Sequence, residues 1–442
     1  MGSGPPWTLR NKESVMSDKE SRITHWLRNA NPVWLTLYAS ISAFCLYTCV
    51  FAFRKTFPAA RFEGLSFLGM NYKSWLIILQ VVGYGMAKFI GIKVISELKA
   101  HSRALGILLM CSIAGLSWLL FAIVPAPYNI IFLFTNGLPL GMVWGMVFGY
   151  LEGRRMTEVL GASLAVSFIF SAGICRSVGA FIMQSWGISQ FWMPFVASCL
   201  FTLPLLLFLF LLNQIPPPSA IDEALRTKRL PMNAEERRKF TTTFLPGIIL
   251  FVLAYMLLTA FRDFRDNFSA EIWQSLGMGN DPSIYTRTEV PISIAVLFCM
   301  GSLMLIKNNK MALMINHLII AIGMLLIGVS NYLFEQSLIS APIWMTLVGL
   351  GLYLGYIPFN SIFFDRLIAA FRYTSTAVFI MYVSDSFGYL GSVTVILFKE
   401  FGFAKLSWLS FFLSGGYFVS IVGTLLILGS LVYFHFKHKG GK

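Results

Sequence analysis

Two arginines lie at the ends of similar apolar stretches. Tyr47-Thr48-Cys49-Val50-Phe51-Ala52-Phe53-Arg54 has a partial copy in Tyr255-Met256-Leu257-Leu258-Thr259-Ala260-Phe261-Arg262; both read Tyr, four variable residues, then Ala-Phe-Arg. A guanidinium beside hydrocarbon is expensive and usually functional. Its planar fork of donors fits an oxyanion, phosphate above all. Two such groups, placed alike in two halves of a chain, suggest an anion held between repeated units. Arg176 and Asp385 also lie deep inside apolar runs. One reading pairs them as a structural ion pair, since buried charges are usually paired. The other puts Arg176 on a cavity wall, with Asp385 orienting it or exchanging protons.

These groups need apolar elements to carry them. A helix crosses a bilayer in about 20 apolar residues. Runs of that kind lie near 32–56, 73–95, 103–124, 128–150, 159–184 and 190–213, then near 244–264, 285–306, 311–334, 340–364, 374–398 and 411–436. The expected fold is therefore an all-α multi-pass membrane protein with twelve transmembrane helices in two six-helix bundles. The expected divisions are a tail 1–31, a first bundle 32–213, a linker 214–243, a second bundle 244–436 and a tail 437–442. Ala234–Lys239 in the linker reads as a short charge-rich helix, beside a basic cluster of Arg226, Lys228, Arg229, Arg237, Arg238 and Lys239. The amphipathic stretches Phe57–Phe67 and Phe268–Leu276 are expected to prolong the helices that carry Arg54 and Arg262.

Further matches keep the repeat. Leu140-Gly141 pairs with Leu354-Gly355, and Val178-Gly179 with Leu390-Gly391, at offsets close to half the chain. Composition agrees: 57% hydrophobic and 12% charged leaves too little polar surface for a soluble protein of 442 residues. The net charge of +14 does not point to nucleic acid, because 23 of the 34 Lys and Arg fall in the tails and the even-numbered connections and six in the odd-numbered ones. That asymmetry places both termini in the cytoplasm. The six cysteines and five histidines give no disulfide or zinc spacing. No nucleotide-binding loop or nucleophile elbow is present. No cofactor and no enzymatic activity are expected.

Several segments resemble the major facilitator superfamily, and within it the organophosphate:phosphate antiporters, the glycerol-phosphate and hexose-phosphate transporters among them. Phe53-Arg54-Lys55-Thr56-Phe57 is similar to that family's Arg-Lys-Asn-Phe segment in helix 1. Tyr84-Gly85-Met86-Ala87-Lys88-Phe89 is similar to its Tyr-Gly-x-x-Lys-Phe segment in helix 2. Tyr356-Ile357-Pro358 resembles a Tyr-x-Pro in helix 10, and Phe387-Gly388-Tyr389-Leu390-Gly391-Ser392 a glycine-rich segment in helix 11.

The resemblance implies a secondary active transporter of a small organic anion, an organophosphate or sugar phosphate exchanged for inorganic phosphate by alternating access. It implies substrate contacts from Arg54, Lys55, Lys88, Arg176, Arg262, Tyr47, Tyr84, Tyr356 and Tyr389. Arg265 is the alternative register for the helix 7 arginine. Asp385, Glu289 and Asp266 are the coupling or ion-pair candidates.

The sequence departs from the pattern where Arg176 replaces a helix 5 histidine. It departs again where the loop signature between helices 2 and 3 is reduced to Ser96-Glu97-Leu98-Lys99-Ala100-His101-Ser102-Arg103. Two other readings stay open, a proton-coupled organic-anion symporter and a non-transporting sensor with a transporter fold. The expected partners are the anionic substrate, inorganic phosphate and the lipid bilayer, with no nucleic acid. A monomer in a bacterial inner (plasma) membrane is the expected form.

Overall fold

The computed structural model describes residues 21–97, 102–154, 156–219, 222, 234–371, 378–403 and 405–439. Residues 1–20 of the tail, Lys99 and His101 of the degraded loop signature, the linker residues Arg226, Lys228 and Arg229, and residues 440–442 lie outside the described residues.

Among the described residues twelve long helices follow one another, numbered here in chain order. The first half holds α1 (Pro32–Lys55), α2 (Tyr72–Glu97), α3 (Arg103–Ile123), α4 (Ile131–Leu151), α5 (Thr157–Trp186) and α6 (Met193–Asn213). The second half holds α7 (Ala234–Asn267), α8 (Ile284–Met304), α9 (Asn309–Glu335), α10 (Ala341–Ser361), α11 (Val378–Leu397) and α12, which runs as Trp408–Phe418 and Thr424–Lys439 around a π turn. A second π turn, Phe398–Gly402, extends α11. Among the described residues eleven helices are long and apolar enough to cross a membrane; α2, with 26 residues, is the twelfth. The protein is a multi-pass integral membrane protein.

Small residues let the helices approach. A Cβ on Gly137 of α4 would lie 2.3 Å from the Gln80 carbonyl oxygen of α2, and a Cβ on Gly83 would lie 2.5 Å from that of Phe134. Of the paired glycines, Gly179 packs α5 on Thr56 just past α1, and Gly391 packs α11 on Met256 of α7, which is the same relation in both halves. Gly141 and Gly355 differ: the first meets Tyr84 and Ala87 of α2, the second Leu258 of α7. Between the halves, α5 lies along α8 and α2 along α11.

Three local expectations change. The stretch after Arg54 does not prolong α1. It turns through a 3-10 segment, Phe57–Ala59, and a two-stranded hairpin, Ser66–Phe67 with Met70–Asn71. Pro58 and the extended backbone at Ala60 stop the helix. After Arg262, α7 ends at Asn267 and a separate short helix, Ser269–Ser275, begins. Ala234–Lys239 is no separate linker helix but the first turns of the 34-residue α7.

Candidate functional site

Arg54 is the penultimate residue of α1, where an arginine could reach water at a membrane interface. It does not do so here. Phe57, Pro58, Ala59 and Ala60 are buried beyond it. Its guanidinium instead lies 3.6 Å over the ring of Tyr84. Tyr84 is twelve residues into α2, about 18 Å along that helix. Among the described residues, the buried Arg54 Nε has no hydrogen-bond partner. Phe53 and Arg54 are pinned through their carbonyls, which accept from Trp118 Nε1 and Asn136 Nδ2, and from Gln80 Nε2 at 2.9 Å.

Arg262 makes the matching arrangement in the second half. Its guanidinium lies 4.0 Å over the ring of Tyr356 of α10. Each arginine therefore stacks on a tyrosine of its own half, a cation–π contact worth roughly 0.5–2 kcal/mol. The partner helices differ, α2 in one half and α10 in the other. Arg262 also donates through Nε and Nη2 to Asp263 Oδ1, at 3.2 and 2.7 Å. The second Asp263 oxygen accepts from Ser392 Oγ of α11 at 2.7 Å.

The two tyrosine-stacked arginines face one region. Tyr84 and Tyr389 meet across the halves edge to face, with centroids 5.8 Å apart. On the second half's side, the Tyr356 hydroxyl lies 3.5 Å from that of Tyr255. Tyr47 is buried against Phe168. One turn from Tyr84, the Lys88 ammonium stands 3.7 Å from Asp385 Oδ2, again across the halves. Tyr255 donates to Asp385 Oδ1 at 2.6 Å and stacks on Tyr356. Lys55, adjacent to Arg54, donates to Asn267 Oδ1 of α7 at 2.6 Å, again across the halves. Among the described residues, four cations (Arg54, Lys55, Lys88, Arg262) thus share this region with two carboxylates (Asp263, Asp385), which leaves two positive formal charges unmatched.

Arg176 stands elsewhere, and it does not pair with Asp385. Its Nη2 lies 3.1 Å from Glu289 Oε1 and 3.4 Å from Asp266 Oδ1, and its Nη1 donates to Ser269 Oγ at 3.0 Å. Arg265 Nη1 donates to the same Glu289 oxygen at 2.6 Å, and Tyr353 donates to Asp266 at 3.2 Å. Two guanidinium groups and two carboxylates here cancel, and the Arg176, Arg265 and Glu289 side chains are at most 3% exposed. The cluster joins α5 of the first half to α7 and α8 of the second. Arg176 does not turn toward Asp385 because these carboxylates already satisfy it. Of the two helix 7 arginines, Arg262 stacks beside the tyrosines and Arg265 is locked in the cluster.

A third group of residues has no counterpart among the expected site residues. At the end of the bundle away from the chain termini, Lys73 donates to both oxygens of Glu271, at 2.7 and 2.8 Å. Glu400 accepts from Asn71 Nδ2 at 3.0 Å and from Ser74 Oγ at 2.5 Å. Both ties cross between the halves and seal that end. Burial pushes the Glu271 carboxyl above its ordinary range, against the opposing pull of Lys73. Asp263 and Tyr255 are also absent from the expected set. The adjacency of Asp263 to Arg262 is a usable signal. Neighbours on a helix point about 100° apart, however, and do not normally pair. For Lys73–Glu271 there is none, since the partners lie 198 residues apart.

Among the described residues, twelve long helices in two halves of six, eleven of them long and apolar enough to cross a membrane, with a polar region between the halves, define a major facilitator fold. The chain belongs to the family described as "Family of unknown function (DUF5690)", whose model matches residues 56–437. No curated protein matches the sequence. Among solved structures, the fold is similar to a D-xylose-proton symporter, at 16% identity and TM-score 0.60 over 92% of this chain and 98% of that one. It is also similar to a bacterial homolog of the human lysosomal transporter Spinster in an inward-facing, unoccupied conformation, at 11% identity and TM-score 0.56 over 93% and 98%. A mutant of the peptide transporter POT in complex with alafosfalin matches at 13% identity and TM-score 0.58 over 89% and 93%.

Proposed function

We propose that this chain is a secondary active transporter that exchanges an organophosphate or sugar phosphate for inorganic phosphate by alternating access, with Arg54 and Arg262 as the anion clamp. The observation that carries this reading is the pair of tyrosine-stacked arginines, one per half, in a region with two unmatched positive charges. Stacking fixes each guanidinium plane, and on Arg54 the buried Nε has no hydrogen-bond partner among the described residues. A phosphate monoester dianion supplies the missing charge. Two guanidinium groups about 8 Å apart, at an effective dielectric of about 20, repel by roughly 2 kcal/mol. The empty carrier pays that penalty on closing; the loaded one does not. Exchange follows from this asymmetry. Lys55, Lys88, Tyr47, Tyr84, Tyr356 and Tyr389 complete the pocket. Arg176, Arg265, Glu289 and Asp266 form a neutral cluster that ties the halves together rather than a substrate contact.

The sealed end then faces away from the cytoplasm and the termini face it. The expected setting is a bacterial inner membrane and the expected form a monomer. The test is counterflow of labelled phosphate in reconstituted vesicles. Wild-type protein should exchange it, and Arg54→Lys and Arg262→Lys should each lose at least about 90% of the rate, since an ammonium lacks the planar fork. Normal exchange by both variants would end this reading. Asp385 favours a second one, proton-coupled symport, because it sits between Lys88 and Tyr255 at the junction of the halves. Uphill uptake driven by a pH gradient without internal anion, and abolished in Asp385→Asn, would establish that alternative.

A further inference from the structure

We propose that Asp263 determines which anion charge the pocket accepts, by holding Arg262 as an internal stand-in for the ligand. The proposal rests on the anion-exchange reading above and deepens it. The two clamp arginines are not equivalent. Arg54 has a buried Nε with no partner among the described residues. Arg262 has its Nε and Nη2, the edge best suited to grip an oxyanion, turned onto Asp263 Oδ1.

This geometry is built and not incidental. Adjacent residues on a helix do not face each other, so the Arg262 side chain folds sideways to make the contact. The ring of Tyr356 supports it in that pose at 4.0 Å. Ser392, from a different helix, fixes the other carboxylate oxygen at 2.7 Å. Asp263 is 9% exposed and forms an ion pair with Arg262 at 2.7 Å.

A fixed carboxylate next to the anion subsite has two effects. It repels every negative charge on the ligand, so its penalty grows in proportion to ligand charge. It also keeps one edge of Arg262 occupied, so a ligand gains that edge only by displacing Asp263. Together these favour a compact dianion and select against polyanions such as pyrophosphate. Removing the carboxylate should reverse the selection. It frees the guanidinium edge and raises the local formal charge by one, and the gain is largest for the most highly charged ligand.

The experiment uses purified full-length protein at constant ionic strength and pH 8. Dissociation constants for sulfate, inorganic phosphate and pyrophosphate are measured by thermal stabilisation, which reports any ligand that binds the native state. In wild-type protein, phosphate and sulfate should bind more tightly than pyrophosphate. In Asp263→Asn, the pyrophosphate-to-phosphate affinity ratio should rise by about tenfold or more, as expected for one unit charge removed near the anion. Asp263→Glu, which keeps the charge, should stay within about threefold of the wild-type ratio by the same reasoning. Ser392→Ala, which loosens the carboxylate without removing it, should fall between.

An unchanged ratio in Asp263→Asn, with phosphate still stabilising the protein, overturns the proposal and leaves the transport reading intact. Loss of all three anions in Asp263→Asn also overturns it, because Asp263 would then support the pocket and not select its ligand. Wild-type protein that responds to none of the anions overturns both.

Discussion

Glu271→Gln should open the sealed end of the bundle, and a double replacement with Lys73→Met and Glu271→Leu should close it more firmly. The Lys73–Glu271 pair lies at 2.7 Å with side chains 2% and 11% exposed. At that separation and an effective dielectric of about 20, the attraction is roughly 6 kcal/mol. Stripping water from the two ions costs several kcal/mol each, so the pair comes out near break-even. The single substitution leaves a buried ammonium unmatched, at a cost of about 3–5 kcal/mol that falls only on the sealed conformer. That corresponds to a shift of roughly two to nearly four orders of magnitude in the conformer ratio. The apolar double variant removes both desolvation costs, and such replacements gain up to about 1–4 kcal/mol.

The assay is labelling of a cysteine at Ala270, 4% exposed beside the seal, by a membrane-impermeant maleimide in a background without the native cysteines. The rate should rise in Glu271→Gln and fall in the double variant. Faster labelling in the double variant would refute the desolvation reasoning.

Gly137→Ala should lower the unfolding midpoint, since its Cβ would meet the Gln80 carbonyl at 2.3 Å and over-packing typically costs about 1–3 kcal/mol; thermal unfolding in detergent measures it. Arg265→Met leaves Glu289 and Asp266 to share Arg176, so one negative charge goes unmatched in a site where the Arg265 and Glu289 side chains are 2% exposed. It should cost about 3–5 kcal/mol, and adding Glu289→Leu should restore only part of that, because Arg176 then loses its closest carboxylate partner, with a double-mutant cycle as the readout.

The architecture was legible because hydropathy is a long-range average. Twelve apolar runs survive local errors, and the structure keeps all twelve helices. The matched stacking of the two arginines was legible in part because Arg54 and Arg262 repeat one pattern in both halves. Partner choice was not. Arg176 and Asp385 stand isolated in the sequence, which suggests pairing with each other. The apolar-run criterion shows which charges are buried but not how α5 is rotated against α8. That rotation brings Arg176 to Glu289, 113 residues away. The prolonged helices failed for a related reason. Phe57–Phe67 and Phe268–Leu276 carry aromatic faces suited to helices, yet Phe57 and Phe268 are fully buried where the helices stop, packed on Trp118 and Trp408. Aromatic content reports the demand for burial and is silent on backbone shape.

The π turn at Phe398–Gly402 works like a spare thread on a screw. It holds one residue more than the α turn it replaces. Were it to tighten into an ordinary turn, every side chain beyond it would rotate by roughly 100° and advance about 1.5 Å. Glu400 would then leave Asn71 and Ser74 without any tilt of α11, so this corner of the bundle carries its own means of unfastening.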